Sequence, residues 1–206
     1  MAVRDFPLFP LGIVALPTEA VPLHIFEDRY LRMIEHCLEH DAEFGIIWLS
    51  DARLHRTGCA CRVEQVLERN EDGSVDILSR GTRPFVLLSR QDDLPYPAGE
   101  IEPAVDEPGE QHDIAAAAGA RDLYRELVLQ ATDRELSEAE LAELDSWRMA
   151  GTVEFELEDK QRLLELRSED ARLRLLGTLL AAALERLELI ERAQVRAQSN
   201  GKVRFG

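Results

Sequence analysis

The hydrophobic pattern changes period part-way along the chain, and that change limits the folds open to it. Up to about residue 105 the apolar residues come in short runs of strand length, separated by turn formers. Phe44-Gly45-Ile46-Ile47-Trp48-Leu49 reads as a short buried strand. Cys59, Cys61 and Val63 alternate with polar or small residues, and Asn70-Glu71-Asp72-Gly73 is a turn. Val75 to Leu78 and Phe85 to Leu88 read as two strands separated by Arg80-Gly81-Thr82-Arg83, and a last short strand falls near Ile101. Phe6-Pro7-Leu8-Phe9-Pro10-Leu11 is apolar but broken by proline, which suits an edge strand or an extended opening segment. Phe26 to His40 is the exception: Tyr30, Met33, Ile34, Cys37 and Leu38 share one face of a helix.

Pro103, Pro108 and Gly109 lie among polar residues and mark a boundary, after which the chain reads as helical almost throughout. Asp113 caps a helix running to about Ala131, with Leu123, Leu127 and Ala131 down one side. Ser137 and Glu140 form a capping box with Leu141, Leu144 and Trp147 behind it. Ser168, followed by Glu169 and Asp170, starts a long last helix, with acids at its positive end. The seam of that helix runs Leu173, Leu176, Leu180, Ala183, Leu187 and Ile190, widened by Leu175, Leu179 and Leu184, as in a packed bundle helix. From Gln198 onward the apolar pattern stops, so the tail is expected to fray. The expectation is an α+β chain: residues 1–105 as a β subdomain with one helix, and residues 110–197 as an α-helical bundle.

Charge and cysteine usage narrow the function. The 206 residues carry a net charge of −16, spread along the chain, and a field of that sign opposes nucleic acid. Among the 24 basic residues only Lys160 and Lys202 are lysine, and arginines suit fixed ion pairs better than a diffuse basic patch. Three cysteines do not make a disulfide framework, and Cys59 and Cys61 read as two small core side chains on one strand face. Asp5 and Pro7, Pro10 and Pro17 interrupt the N-terminal apolar stretch, so it is not a secretory signal. Leu175 to Leu184 is about half the roughly 20 residues a membrane span needs. A cytoplasmic protein with no membrane partner is expected.

The sharpest catalytic pattern is His36-Cys37-Leu38-Glu39-His40, the order used by inverted zinc peptidases. Two histidines four apart can share a metal, with Glu39 as base, but a third ligand and a closed cleft are required. His36 and His40 flank the apolar face of their helix, which places them on its rim. No nucleophile elbow, Ser-Lys arrangement, phosphate loop or dinucleotide fingerprint is present, and acid pairs such as Asp92-Asp93 and Glu158-Asp159 read as solvated or helix-start charges. The expectation is no enzyme, no cofactor, no metal and no catalytic residue.

Several segments in order resemble the N-terminal, substrate-binding domain of Lon-type proteases. They are Phe6-Pro-Leu-Phe-Pro-Leu11, Leu16-Pro-Thr-Glu-Ala-Val-Pro-Leu-His-Ile-Phe-Glu-Asp-Arg-Tyr30, Phe44-Gly45-Ile46, Arg80-Gly-Thr-Arg-Pro-Phe85 and Asp159-Lys-Gln-Arg-Leu-Leu-Glu165. The resemblance spans about residues 5–190. It implies a six-stranded, PUA-like β-barrel followed by a C-terminal helical bundle, and a stand-alone binding domain without ATPase or protease modules. Two departures stand out: the family usually has Gly where Thr18 stands and often Pro where Asp28 stands. Thr18 implies a preceding turn that avoids positive φ, and Asp28 is compatible with a helix start. Pro22, Ile25 and Phe26 are expected to set the strand-to-helix corner and fill the barrel, and Arg29 to pair with a nearby acid. These residues are thus assigned to architecture, and none to a substrate-binding site.

The expected function is a non-catalytic polypeptide-binding module, whose partners are polypeptide segments or another protein, in a monomer or weak homo-oligomer. The alternatives are a PUA-like small-molecule or RNA-binding barrel, or a zinc hydrolase built on His36, Glu39 and His40.

Overall fold

The computed structural model describes residues 1–51, 53–91, 93–107 and 113–200. Six strands come in the order β1 (Val3–Leu11), β2 (Ala20–Ile25), β3 (Phe44–Ser50), β4 (Arg53–Arg69), β5 (Val75–Gln91) and β6 (Ala98–Pro103). Helix α1 (Asp28–His40) lies between β2 and β3. Five helices follow β6: α2 (Ile114–Thr132), α3 (Glu138–Ala142), α4 (Ser146–Ala150), α5 (Leu157–Glu165) and α6 (Glu169–Asn200).

The sheet is mixed, with β1 and β3 parallel and the other pairs antiparallel. Strand β5 organises it. Its first half pairs with β2 (Val75↔Ile25 to Arg80↔Ala20) and its second half with β6 (Phe85↔Pro103 to Gln91↔Ala98), while β4 pairs along its length. Following the pairings β5–β4–β3–β1–β6 therefore leads back to β5, and β2 is added outside that ring. A ladder that returns on itself leaves few open edges. The two runs expected at 75–78 and 85–88 are thus one 17-residue strand. Arg80 to Arg83 does not interrupt it, because Gly81 pairs with Cys61 and Arg83 with Ala60 across a local register shift.

Inside the ring, Phe6, Leu8, Ile47, Ala60, Phe85, Leu87 and Ile101 form one buried cluster. Phe85 is its plug and meets Phe6 edge-on, with ring centroids 5.6 Å apart. Its ring has room because two neighbours lack side chains. A Cβ at Gly45 or at Gly58 would stand 2.6 Å from Phe85 ring carbons, well inside van der Waals contact. Helices α1 and α5 pack against β4, and Cys59, Ala60 and Cys61 are all fully buried, so this stretch is covered on both faces.

Contacts divide the chain into two compact units: residues 1–108 with 145–169, and residues 109–144 with 170–206. Helices α4 and α5 thus belong with the sheet. In the second unit Asp113 caps α2 by accepting from the Ala116 amide, and Arg174 reaches its carboxylate at 2.7 Å. Ser137 and Glu140 complete a capping box at α3. That helix stops at Ala142, so Trp147 sits on the separate α4 rather than behind the box. On α6, Leu173, Leu176, Leu180 and Leu184 are buried, but the expected seam fails beyond them: Ile190 is 54% exposed. The helix reaches Asn200, and the remainder of the tail lies outside the described residues.

Substituting Gly58→Ala should destabilise the protein by about 1–3 kcal/mol through overpacking. Gly119→Ala on α2, where nothing lies within 4 Å of the added carbon, should stabilise it by up to about 1 kcal/mol. Urea unfolding of both variants checks the contrast; equal effects would contradict the packing account.

Candidate functional site

The segments that hold β2 and α1 in place are the motif segments named above. Leu16-Pro17-Thr18-Glu19 closes a turn in which the Glu19 amide donates to the Leu16 carbonyl at 3.2 Å. Proline stands second, and Thr18 has φ +70°, the pattern of a type II turn. The expectation that Thr18 avoids positive φ is therefore wrong. A β-branched residue occupies the left-handed position, at a cost of about 1–3 kcal/mol by itself. Its surroundings hold it there: the Thr18 amide donates to the Gly81 carbonyl at 2.8 Å, and its hydroxyl donates to the Trp147 carbonyl at 3.0 Å. Gly81 is bare because a Cβ there would lie 2.0 Å from the Leu16 carbonyl oxygen. Lys160 of α5 pairs with Glu19 at 2.6 Å, and Glu19 also accepts from the Leu16 amide. Gln161 donates to the Thr57 carbonyl and to Glu165.

Beyond this turn β2 leads to a cleft of about 510 Å³. Its floor is buried and apolar, made by Leu8, Phe9, Ile25 and Ala98. Its rim carries Phe26, Leu49, Arg29 and Arg90. Ile25 fills the core as expected, whereas Pro22 is exposed and Phe26 is 67% exposed. The expectation that Phe26 fills the barrel is thus corrected. Strand alternation turns Ile25 inward, and α1 starts only at Asp28, so the intervening Phe26 is left facing solvent. It stacks on His24 with centroids 5.8 Å apart. His24 in turn faces Asp76, its cross-strand partner, with Nδ1 2.8 Å from a carboxylate oxygen. Hydrogen bonds from Asn70 and then His24 hold the Asp76 carboxyl below the usual carboxylate range.

Arg29 pairs with an acid as expected: its Nη2 donates to Glu27 at 2.7 Å, and its guanidinium lies 4.6 Å from the centre of the Tyr30 ring. Burial raises Tyr30, and it pushes the Cys37 thiol up to about 12. Leu38, expected on the buried face of α1, is 38% exposed.

The structure gives the His36/Glu39/His40 pattern an ordinary helical role. His40 Nδ1 lies 2.9 Å from the His36 carbonyl oxygen, and the two rings face each other at 4.4 Å. Among the described residues, no group of three or more His, Cys, Asp or Glu is gathered as a metal site. One constellation escapes sequence inspection: the Ser50 hydroxyl is 3.1 Å from His55 Nε2, and His55 Nδ1 is 4.0 Å from Glu165. The order of groups suits nucleophilic catalysis, but 4.0 Å is too long for a hydrogen bond. Trp48 stacks on His55 at 4.3 Å, so the set serves to tie the β3–β4 hairpin to α5.

A family model described as the ATP-dependent protease La (LON) substrate-binding domain matches residues 5–182. The chain belongs to this family. It is 27% identical to the Lon protease of Xanthomonas oryzae pv. oryzae over 216 residues, a match covering 96% of this chain and 25% of that protein. It is 22% identical to the Lon protease of Escherichia coli K12, over 94% of this chain and 27% of that one. The chain thus spans about a quarter of the length of the curated relatives it matches. Among solved structures, a Lon N-terminal domain protein from Xanthomonas campestris superposes with a TM-score of 0.64 at 25% identity, covering 84% of this chain and 97% of that one. The N-terminal domain of the Mycobacterium avium complex Lon protease shares the fold, with a TM-score of 0.66 at 20% identity over 86% and 98% of the two chains. The expected family and the expected mix of sheet followed by helices both stand.

The Asp76 carboxyl, lowered in the folded state, contributes stability that is present above its unfolded pKa near 4. That contribution is lost as pH falls through the lower folded value. Asp72, Asp113 and Glu140 are lowered too and act in the same direction. Asp76→Asn should therefore lose less stability than the parent between about pH 5 and pH 2. An acid limb identical in the two proteins, read by circular dichroism, would refute the role given to this pair.

Proposed function

We propose that the protein is a non-catalytic polypeptide-binding module, which holds an exposed apolar segment of another chain in the cleft beside Phe26. The observation that carries this reading is a cleft over apolar side chains with exposed apolar residues on its rim: Phe26 is 67% exposed and Leu49 is 42% exposed. Burying such a side chain fully contributes about 1.5–3 kcal/mol, so the cleft gains most from a partner that covers Phe26. The family description names a substrate-binding domain, and the relatives are proteases, whose substrates are polypeptides. A recognition surface of this kind works through buried apolar area and needs no basic track. The net charge of −16 stands against the RNA-binding alternative.

The same reading keeps a division near residue 105, with residues 1–105 holding the whole cleft and residues 110–197 forming the helical part, of which α4 and α5 group with the sheet. It also includes a cytoplasmic setting and a monomer or weak homo-oligomer. Among the described residues no helix is long and apolar enough to cross a membrane.

Fluorescence anisotropy with labelled, permanently unfolded polypeptides tests the proposal. Binding in the range of tens of micromolar or tighter is expected, weakened about tenfold by Phe26→Ala. The exposed position should leave folding intact, so no binding by a folded parent protein would defeat the reading.

A further inference from the structure

Strand β2 is the outer strand of the sheet: it pairs with β5, and among the described residues no strand lies on its other side. Its hydrogen bonds show which backbone groups face that open side. The Gly81 amide donates to the Glu19 carbonyl at 3.0 Å, and the Ser79 hydroxyl donates to the Val21 carbonyl at 2.9 Å. Both carbonyls therefore point toward β5, and the alternation of an antiparallel ladder turns Leu23 and Ile25 the same way. Pro22, which has no amide to donate, falls in the opposite set. Ala20, Pro22 and His24 thus direct their carbonyls to the open side, and Ala20 and His24 their amides as well. All three residues are exposed.

An edge of this kind is a template for another strand, and proteins usually protect it with bulges or charges. Strand β4 shows that protection beyond Cys61, where β3 no longer pairs with it. Its ladder with β5 shifts register between Val63 and Gln65 and again between Val66 and Glu68, and the stretch carries Arg62, Glu64, Glu68 and Arg69. Strand β2 has neither device. Its six residues pair with β5 in an unbroken register, and none of them is Asp, Glu, Lys or Arg. The end of the strand runs into the cleft, which His24, Ile25 and Phe26 line.

We infer that a polypeptide held at the cleft binds as an added strand on the open edge of β2. Its backbone exchanges hydrogen bonds with Ala20, Pro22 and His24, and its side chains on the face of Ile25 continue the apolar lining of the cleft beside Phe26. The occupant is therefore an extended, unfolded segment rather than an amphipathic helix, whose backbone groups are already paired. A second copy of this chain fits the edge less well. In the antiparallel register that overlaps all of β2, Pro22 would face Pro22, and that pair would form no hydrogen bond. This mode of binding rests on the polypeptide-binding reading and deepens it.

The probe is a labelled, end-blocked peptide of alternating leucine and threonine, about eight residues long so that it spans the strand. Alternation pins its register, because a slip of one residue would turn the leucines away from the cleft. Anisotropy compares it with two versions, one N-methylated at the leucine amides and one at the threonine amides. One version should bind about tenfold or more weakly, and the other within about threefold of the unmodified peptide. Either assignment supports the added strand, and the set that matters gives its direction. Ala20→Pro, which removes an outward amide and leaves the ladder with β5 in place, should weaken the unmodified peptide about threefold to tenfold. Equal effects of the two methylations, with binding still sensitive to Phe26→Ala, would overturn strand addition alone. Failure of the unmodified peptide to bind would overturn the polypeptide reading beneath it. Self-association of the protein that Ala20→Pro abolishes, with no peptide bound, would give the edge to a second copy and overturn the inference.

Discussion

The fit of the Phe85 ring against Gly45 and Gly58 is the contact on which the rest of the fold depends. The ring fills space that a Cβ on β3 or on β4 would need, and both glycines lie on strands that flank it. Because β5 also pairs with β6 and β2, placing Phe85 sets the register of the strand shared by three neighbours. A one-residue slip would turn Phe85 outward and carry the inward set of β5 to the wrong face. The cleft follows from this, since its floor residues Leu8 and Ala98 lie on β1 and β6, two of the strands that close the ring.

A second constraint holds the site in position. The Leu16–Glu19 turn is strained at Thr18, and the strain is offset by contacts from three distant parts of the chain: Gly81, Trp147 and Lys160. The turn sends the chain into β2, and β2 delivers Ile25 inward and Phe26 outward at the edge of the sheet. Most of the family-like motif residues therefore act by positioning. Pro22 is exposed on β2, which pairs on one side with β5; proline, with no amide to donate, suits such an edge. Among the motif residues that line the cleft, Phe26 and Arg29 are exposed on its rim.

Much of this architecture is legible in the residues. The change from short apolar runs to helical spacing separates sheet from helices, and Asp113, Ser137 and Glu140 announce helix starts that the structure shows. Other features depend on distant contacts that local patterns do not encode. Arg80 to Arg83 looks like an interruption, yet it continues β5 because β4 supplies partners on its far side. Thr18 looks incompatible with a left-handed turn until its bonds to Gly81 and Trp147 are seen. Phe26 is the instructive case for the site. Hydrophobicity alone sends it to the core, and only the offset between the end of β2 and the start of α1 leaves it outside. The sequence carries Arg29 and Arg90 far apart, and their shared cleft is a product of the fold.

The surface around Phe26 is the proposed docking place for another polypeptide. Amide chemical-shift mapping, during titration with an unlabelled, permanently unfolded polypeptide, tests it most directly. Docking beside Phe26 predicts that the largest shifts fall on His24 to Tyr30, Leu49, Arg90, Gln91, Leu94 and Tyr96, with α2 little changed. Shifts concentrated on α2 or α6, with the Phe26 region silent, would contradict it.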